Sequence, residues 1–421
     1  MKWITILLMV IAGTVAAVAQ APVSPAVTLT PAERSIAQAR KLIETNPKDF
    51  EAYNALALAL SRRARETSDL QFYTQAEQAL EKSFRISPGN FDGERTRIWL
   101  LLGKHDFAAA LEAATRLNKQ RPDDVMLYGL LTDANVELGN YDAAEAAAQW
   151  MLDLRPGNLP GITRAAYLRE LVGDIDGALE LMNMAYQSTP LGEVEDAAWI
   201  LTQMAHLNLA TGRLDAAEEL LRQALTKFPG YHYALGNLAK VKIQQKRYGE
   251  AVELLQRRYA AAPHAENLYE LAEALQLAGK NEEARKAFAE FERRSLLETR
   301  RGDNSNRELV LYYADHAQQP AKALEVAQRE LARRHDVFTV DSYAWALYAN
   351  GQYAEARKQI ERALAVGVRD ATLFRHAGEI ALKCSDSRMA ERYLSQSAEL
   401  NTLGSDAART ILARLSQPPS R

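Results

Sequence analysis

Along most of the chain apolar residues recur at helical spacing, in runs separated by short polar turns. The runs come in pairs: an amphipathic helix, a turn that contains glycine, and a second helix that stops near a proline. That order predicts antiparallel helical hairpins. The stretch Leu138, Gly139, Asn140, Tyr141, Asp142, Ala143, Ala144 shows the turn most clearly. Glycine just past the first helix permits a left-handed cap, and the Asn or Asp that follows offers a side-chain acceptor to start the second. Proline then blocks further helix. The same glycine, with alanine five residues later, returns at 173–178, 212–217, 279–284 and 351–356.

Pro88, Pro122, Pro156 and Pro190 stand 34 residues apart, and Pro229 to Pro263 repeats the interval. A fixed period means a repeat array. Ala144, Ala178, Ala217, Ala251 and Ala356 recur at one place in the unit, where two helices cross too closely for a larger side chain. The pattern resembles the tetratricopeptide repeat. That resemblance implies an all-α solenoid, a right-handed superhelix of antiparallel helix pairs. Aligned on the glycine and alanine, the chain divides into about ten units, at 50–90, 91–124, 125–158, 159–192, 198–231, 232–264, 265–298, 304–336, 337–370 and 371–404. The runs at 164–170, 312–316 and 345–347 also resemble a group of bacterial exported tetratricopeptide proteins, a likeness that brings no assigned reaction.

Three places break the period. Unit 1 carries extra residues around 65–72, residues 193–197 lengthen one junction, and a polar turn at 299–306 is expected to be a hinge between repeats 1–7 (50–298) and repeats 8–10 (307–404). Ahead of the array, Thr30, Pro31, Ala32 and Glu33 read as a capping box that starts a helix covering the open face of unit 1, within 30–48. Residues 405–421 are left as a C-terminal tail. At the front, Lys2 and the apolar run 4–19, closing on small residues at Ala17, Ala19 and Ala21, read as a signal peptide over 1–21 with a linker over 22–29. The expectation is an exported, periplasmic or secreted protein. Without a cysteine after the cleavage positions, no lipid anchor is expected, nor stable membrane insertion once the signal is removed.

Composition narrows the function. With 51 Lys plus Arg against 54 Asp plus Glu the chain is nearly balanced, which does not suit nucleic acid. Cys384 is the single cysteine, so no internal disulfide can form. Phosphate loops, dinucleotide glycine motifs, zinc-helix motifs and nucleophile elbows are absent from the sequence, and helical units leave no room for a catalytic domain. No enzyme activity and no cofactor is expected. The run 174–177 has part of a calcium-loop pattern but falls on a turn between paired helices, and Arg301, Gly302, Asp303 spells an adhesion tripeptide ahead of a helix start.

What remains is a surface. In tetratricopeptide arrays the first helix of each unit lines a concave groove through the fifth, ninth and twelfth positions, which share one helical face. Carried onto this chain, that face holds Arg95, Trp99, Asp133, Tyr167, Glu170, His206, Lys240, Tyr269, Glu273, Asp341, Trp345, Tyr348, Arg375 and Glu379, with Arg164 one place off it. Aromatic residues among mixed charges suit an extended peptide or a partner helix. The expected function is a non-catalytic scaffold or adaptor in the cell envelope, with a protein or peptide in the groove. The alternative is a small-ligand or metal-binding accessory subunit, for which His206, His316 and His376 are the first candidates.

Overall fold

The computed structural model describes residues 29–400, 402 and 405–416. The expected signal segment and most of the linker after it lie outside the described residues. Within them the chain is all α-helix, apart from one short π-helical stretch, with no strand. Helix α1 (Pro31–Thr45) comes first. Five pairs follow: α2 (Phe50–Thr67) with α3 (Gln71–Ile86), α4 (Phe91–Gly103) with α5 (Phe107–Asn118), α6 (Val125–Glu137) with α7 (Tyr141–Leu154), α8 (Leu159–Leu171) with α9 (Ile175–Ser188), and α10 (Val194–Ala210) with α11 (Leu214–Lys227). Then come α12 (His232–Gln244) with α13 (Tyr248–Ala261), α14 (Ala265–Leu277) with α15 (Asn281–Glu298), and α16 (Asn306–Leu311) with α17 (Pro320–Leu331). The last pairs are α18 (Val337–Ala349) with α19 (Tyr353–Leu364) and α20 (Ala371–Lys383) with α21 (Ser387–Glu399), followed by α22 (Ser405–Leu415). This is an α-solenoid of ten hairpins. Among the described residues no helix is long and apolar enough to cross a membrane.

Each hairpin turns on one residue with positive φ. Gly139, Gly173, Gly212, Gly279 and Gly351 supply it in five units, and Ser68, His105, Lys246, Gln318 and Ser385 in the other five. The turn is therefore a property of the unit, and glycine is only its least strained occupant. The alanines at the helix crossings, Ala144, Ala178, Ala217, Ala251 and Ala356, are fully buried. At the front, the Thr30 side chain accepts from Glu33 N–H while Glu33 accepts from Thr30 N–H, closing the capping box of α1. At the back, the segment expected as a tail instead carries α22. Its first residue, Ser405, is fully buried and donates to the Ser397 carbonyl at 2.6 Å, and Ala408 is buried with it, so α22 covers the last hairpin.

The solenoid coils onto itself. Tyr141 Oη accepts from Val337 N–H at 2.8 Å, and the Glu137 carbonyl accepts from His335 N–H at 2.9 Å. Arg334 pairs with Glu137 and, at 2.9 Å, with Asp336. A Cβ placed on Gly173 would lie 2.8 Å from the Gly367 carbonyl oxygen. The turns of units 3 and 4 thus carry the approaches to the beginning and the end of unit 9, five or six units further along. The residues expected as a hinge are tied down for the same reason: Arg333 bonds to the carbonyls of Arg300 and Arg301, Asn306 donates to Glu330 at 2.8 Å, and Gly302 presses on the carbonyls of Lys104 and His105.

Candidate functional site: the inner face of the coil

The first helix of each pair faces the inside of the coil, and the residues predicted for the groove stand there largely in pairs that join one unit to the next. Arg164 holds Asp133 with two bonds, 2.8 Å from Nε to Oδ1 and 2.6 Å from Nη2 to Oδ2. His206 Nε2 lies 2.8 Å from Glu170 Oε1, and Lys240 lies 3.4 Å from Glu270, itself paired with Arg258. Glu273 accepts from Tyr269 Oη at 3.1 Å and lies 3.6 Å from His316. Asp341 meets His376 Nδ1 at 2.9 Å, and Tyr348 reaches Glu379, which Arg375 binds at 2.7 Å. Arg95 is held between Asp92 at 2.8 Å and Asp124 at 2.5 Å. The inner charges therefore answer one another and hold the register between neighbouring units.

Three of the predicted groove residues are not exposed to a partner. Trp345 is buried, its Nε1 donating to Asp315 at 2.8 Å and its ring stacked between Tyr348 and His376, at 4.5 and 4.0 Å. Tyr269 is buried against Phe288 and Phe291, and Asp341 is buried with His376. Aromatic bulk at these positions fills the space between units, which removes more apolar surface from water than a waiting groove would. The histidines considered for a metal lie apart, each on its own carboxylate: His206 on Glu170, His316 on Glu273 and His376 on Asp341. Among the described residues no three metal-ligating side chains converge.

Trp99 and Tyr167 do reach open space. With Tyr73, Trp199, Leu159, Pro160 and Ile200 they line a recess of about 480 Å³ whose polar lining includes Ser61, Arg65, Thr163 and Asp196. Tyr167 keeps 37% of its surface accessible, while burial and then the nearby Glu137 carboxylate hold its hydroxyl well above the usual range. Tyr73 is pushed up to about 12, first by burial and then by Asp303. These phenols stay protonated donors. Sequence reasoning missed Tyr73 and Trp199 because neither stands at a recurrent groove position: Tyr73 begins a second helix, and Trp199 follows the lengthened junction.

The recess is bridged on one side. Arg62 lies 2.9 Å from Glu193 and 3.7 Å from Asp196; Arg65 pairs with Glu195 and lies 3.2 Å from Asp196. Glu195 also accepts from Tyr231 Oη at 3.0 Å. Burial would lower the Arg65 value, but Glu195 beside it holds the guanidinium above its ordinary range, and burial raises Glu195.

Comparison with known proteins agrees with this architecture. Residues 208–266 match one tetratricopeptide-repeat family model, and residues 95–158 and 344–391 match a second. Among solved structures, human IFIT1, a dimer with m7Gppp-AAAA, is similar at 13% identity over 87% of this chain and 85% of that one, with a TM-score of 0.51. TTC0263, a thermophilic TPR protein of Thermus thermophilus, is 21% identical over 45% of this chain and 99% of its own, with a TM-score of 0.39. At these identities the likeness is one of fold alone. No curated protein matches in sequence.

Proposed function

We propose that this chain, a tetratricopeptide-repeat protein, is a non-catalytic scaffold of the bacterial cell envelope that holds a segment of a partner protein in the recess around Trp99, Tyr167 and Trp199. The observation that carries the reading is the recess itself. Elsewhere on the inner face aromatic residues are packed away and charges are paired, whereas here four large aromatic side chains border free volume. Such a lining fits one apolar or aromatic anchor of an extended segment, with Thr163 and the phenols available to its main chain. Export rests on Lys2 and the apolar run 4–19.

The test is a photo-crosslinking residue at Thr163, inside the recess, compared with one at Glu283, on the exposed start of α15. In envelope extract the first should capture a partner and the second should not. Tyr167→Ala should lower capture at position 163 by roughly thirtyfold, as expected for loss of an interface anchor worth about 2 kcal/mol. Equal capture at the two positions, or capture indifferent to Tyr167→Ala, would sink the groove reading.

A further inference from the structure

The seven first helices α4, α6, α8, α12, α14, α18 and α20 all have 13 residues. Two depart from that length upward, α2 with 18 and α10 with 17. The excess of α2 lies at its end, because its capped start at Asp49 matches those at Asn90 and Asp124, and 18 positions run from Phe50 to the left-handed Ser68 where 14 run from Phe91 to His105 and from Val125 to Gly139. The excess of α10 lies at its beginning, at residues 193–197, which break the period. These two ends, about 130 residues apart in the chain, meet: Arg62 with Glu193 and Asp196, Arg65 with Glu195 and Asp196. Units 1 and 5 are not neighbours in the array. They are joined here by the two insertions, which no packing between adjacent units requires.

We propose that the extra turns of α2 and α10 form a latch across the groove, which must release for a partner to reach the recess. The inference rests on the groove reading above and assigns its regulation. Arg65 and Asp196 belong to both structures, since each lines the recess and each takes part in the tie. The tie is uneven. Glu195 is anchored, 1% exposed and bonded to Tyr231 of the next pair, while Arg62, Glu193 and Asp196 keep 26, 39 and 32% of their side chains in solvent. Partly exposed ion pairs between long side chains are weak and exchange readily with water. Apolar crossings such as that at Ala217, fully buried, are not. The tie can therefore part on its Arg62 side without unfolding a hairpin, while Arg65 stays held by Glu195 and by buried His232, whose Nε2 lies 3.2 Å from the Arg65 carbonyl oxygen. Arg63 and Glu66 on the same helix end do not join it; they bind Glu33 and Thr30 of the α1 start and keep the end of α2 helical when the latch is free.

The experiment uses the full chain with Trp3→Phe and Trp150→Phe, so that Trp99 and Trp199 report the recess while buried Trp345 stays constant. Acrylamide quenching is measured for Arg62→Glu, for Glu193→Arg and for the two together, with helicity checked by circular dichroism. Each single reversal should raise the quenchable population roughly fivefold, the loss of one partly exposed ion pair, and the double variant, with the pair restored in reverse, should return to the starting value. In parallel, spin labels at Asp69→Cys and Gly192→Cys in a Cys384→Ser background should move apart in the single reversals and close again in the double. Unchanged quenching and distance in both single variants would overturn the latch, as would a double variant as open as the singles. Crosslinking at Thr163 separates the two readings. Capture without any change in quenching leaves the groove and removes the latch, whereas an opening latch with no capture in any variant keeps the moving joint and removes its role as a gate.

Discussion

Gly139 and Gly351 occupy the same place in their units, with φ of 74° and 76°, and both are followed by a buried alanine five residues on. Their surroundings have nothing in common. A Cβ on Gly351 would meet open space, whereas one on Gly139 would lie 2.7 Å from the His335 carbonyl oxygen. Repetition sets the conformation of each turn, and the coil, bringing round a unit five or six places later, gives some of these turns a second task. One motif therefore marks two kinds of site, one free and one carrying the closure of the coil.

The sharpest way to separate them is to add a single methyl group. Gly351→Ala should cost only the left-handed strain of a non-glycine residue, about 1 kcal/mol. Gly139→Ala adds a collision with main chain that cannot turn aside, so residues 334–337 must shift and the bond from Val337 N–H to Tyr141 Oη must lengthen; about 2 to 3 kcal/mol in total is expected. Thermal melts compare the two, and hydrogen exchange at the Val337 amide should accelerate only in the Gly139 variant. Equal costs would mean that the contact between successive turns of the coil contributes nothing to stability.

A smaller effect comes from the charges beside the same contact. Burial lifts the Glu137 carboxyl from 4.5 to about 7; Arg334 opposes the shift and Asp336 and Asp133 add to it, with the Tyr141 and Tyr167 phenols close by. Because its folded value is raised, Glu137 contributes stability in the acid range, and that contribution is lost as pH rises through about 7. Beside the free turn the sign is opposite: Glu355 is held below its usual value by bonds from Gln359 and Lys358, so it titrates in acid. Between about pH 5 and pH 9 the native chain should lose about 1 to 2 kcal/mol that Glu137→Gln retains, while Glu355→Gln follows the native curve. A Glu137→Gln profile parallel to the native one would remove this carboxyl from the account.

How much of this could be read in advance depends on distance along the chain. The hairpins were legible because their cues lie within one unit: a proline period, a turn, an alanine at the crossing. Units without glycine at the turn, such as that of Lys246 and Ala251, are recognisable through the alanine and the proline interval. Helix α22 was missed although Ile411, Leu412 and Leu415 follow Ser405 at helical spacing, because it has no partner helix to complete a unit. The groove residues were placed on one face by spacing, but their pairing was not legible. Whether Asp133 meets Arg164, or Glu170 meets His206, depends on the register between units. The insertions at 65–72 and 193–197 were visible as breaks, yet their meeting follows from the pitch of the coil, which no local pattern encodes.

The smallest effect tests whether the left-handed position belongs to the unit or to its residue. Lys246 adopts φ 60° on the exposed turn between α12 and α13, and its N–H donates to Ile243 at 2.9 Å as the Gly139 N–H does to Val136 at 3.0 Å. Glycine relieves about 1 kcal/mol of strain there and returns part of it through greater freedom of the unfolded chain, so Lys246→Gly should stabilise by about 0.5 kcal/mol. His105 has φ 56° in the equivalent turn of unit 2, but its ring stacks on Phe107 at 5.4 Å, and burial, then Arg334, lowers it to about 4. Its neighbours come from the far side of the coil: Gly302 lies against its carbonyl, and Arg334 over Phe107. His105→Gly removes a packed ring to relieve the same strain, so it should destabilise. Opposite signs at two residues with one conformation are what a turn used twice requires; stabilisation at both would reduce the contacts around His105 to incidental neighbours.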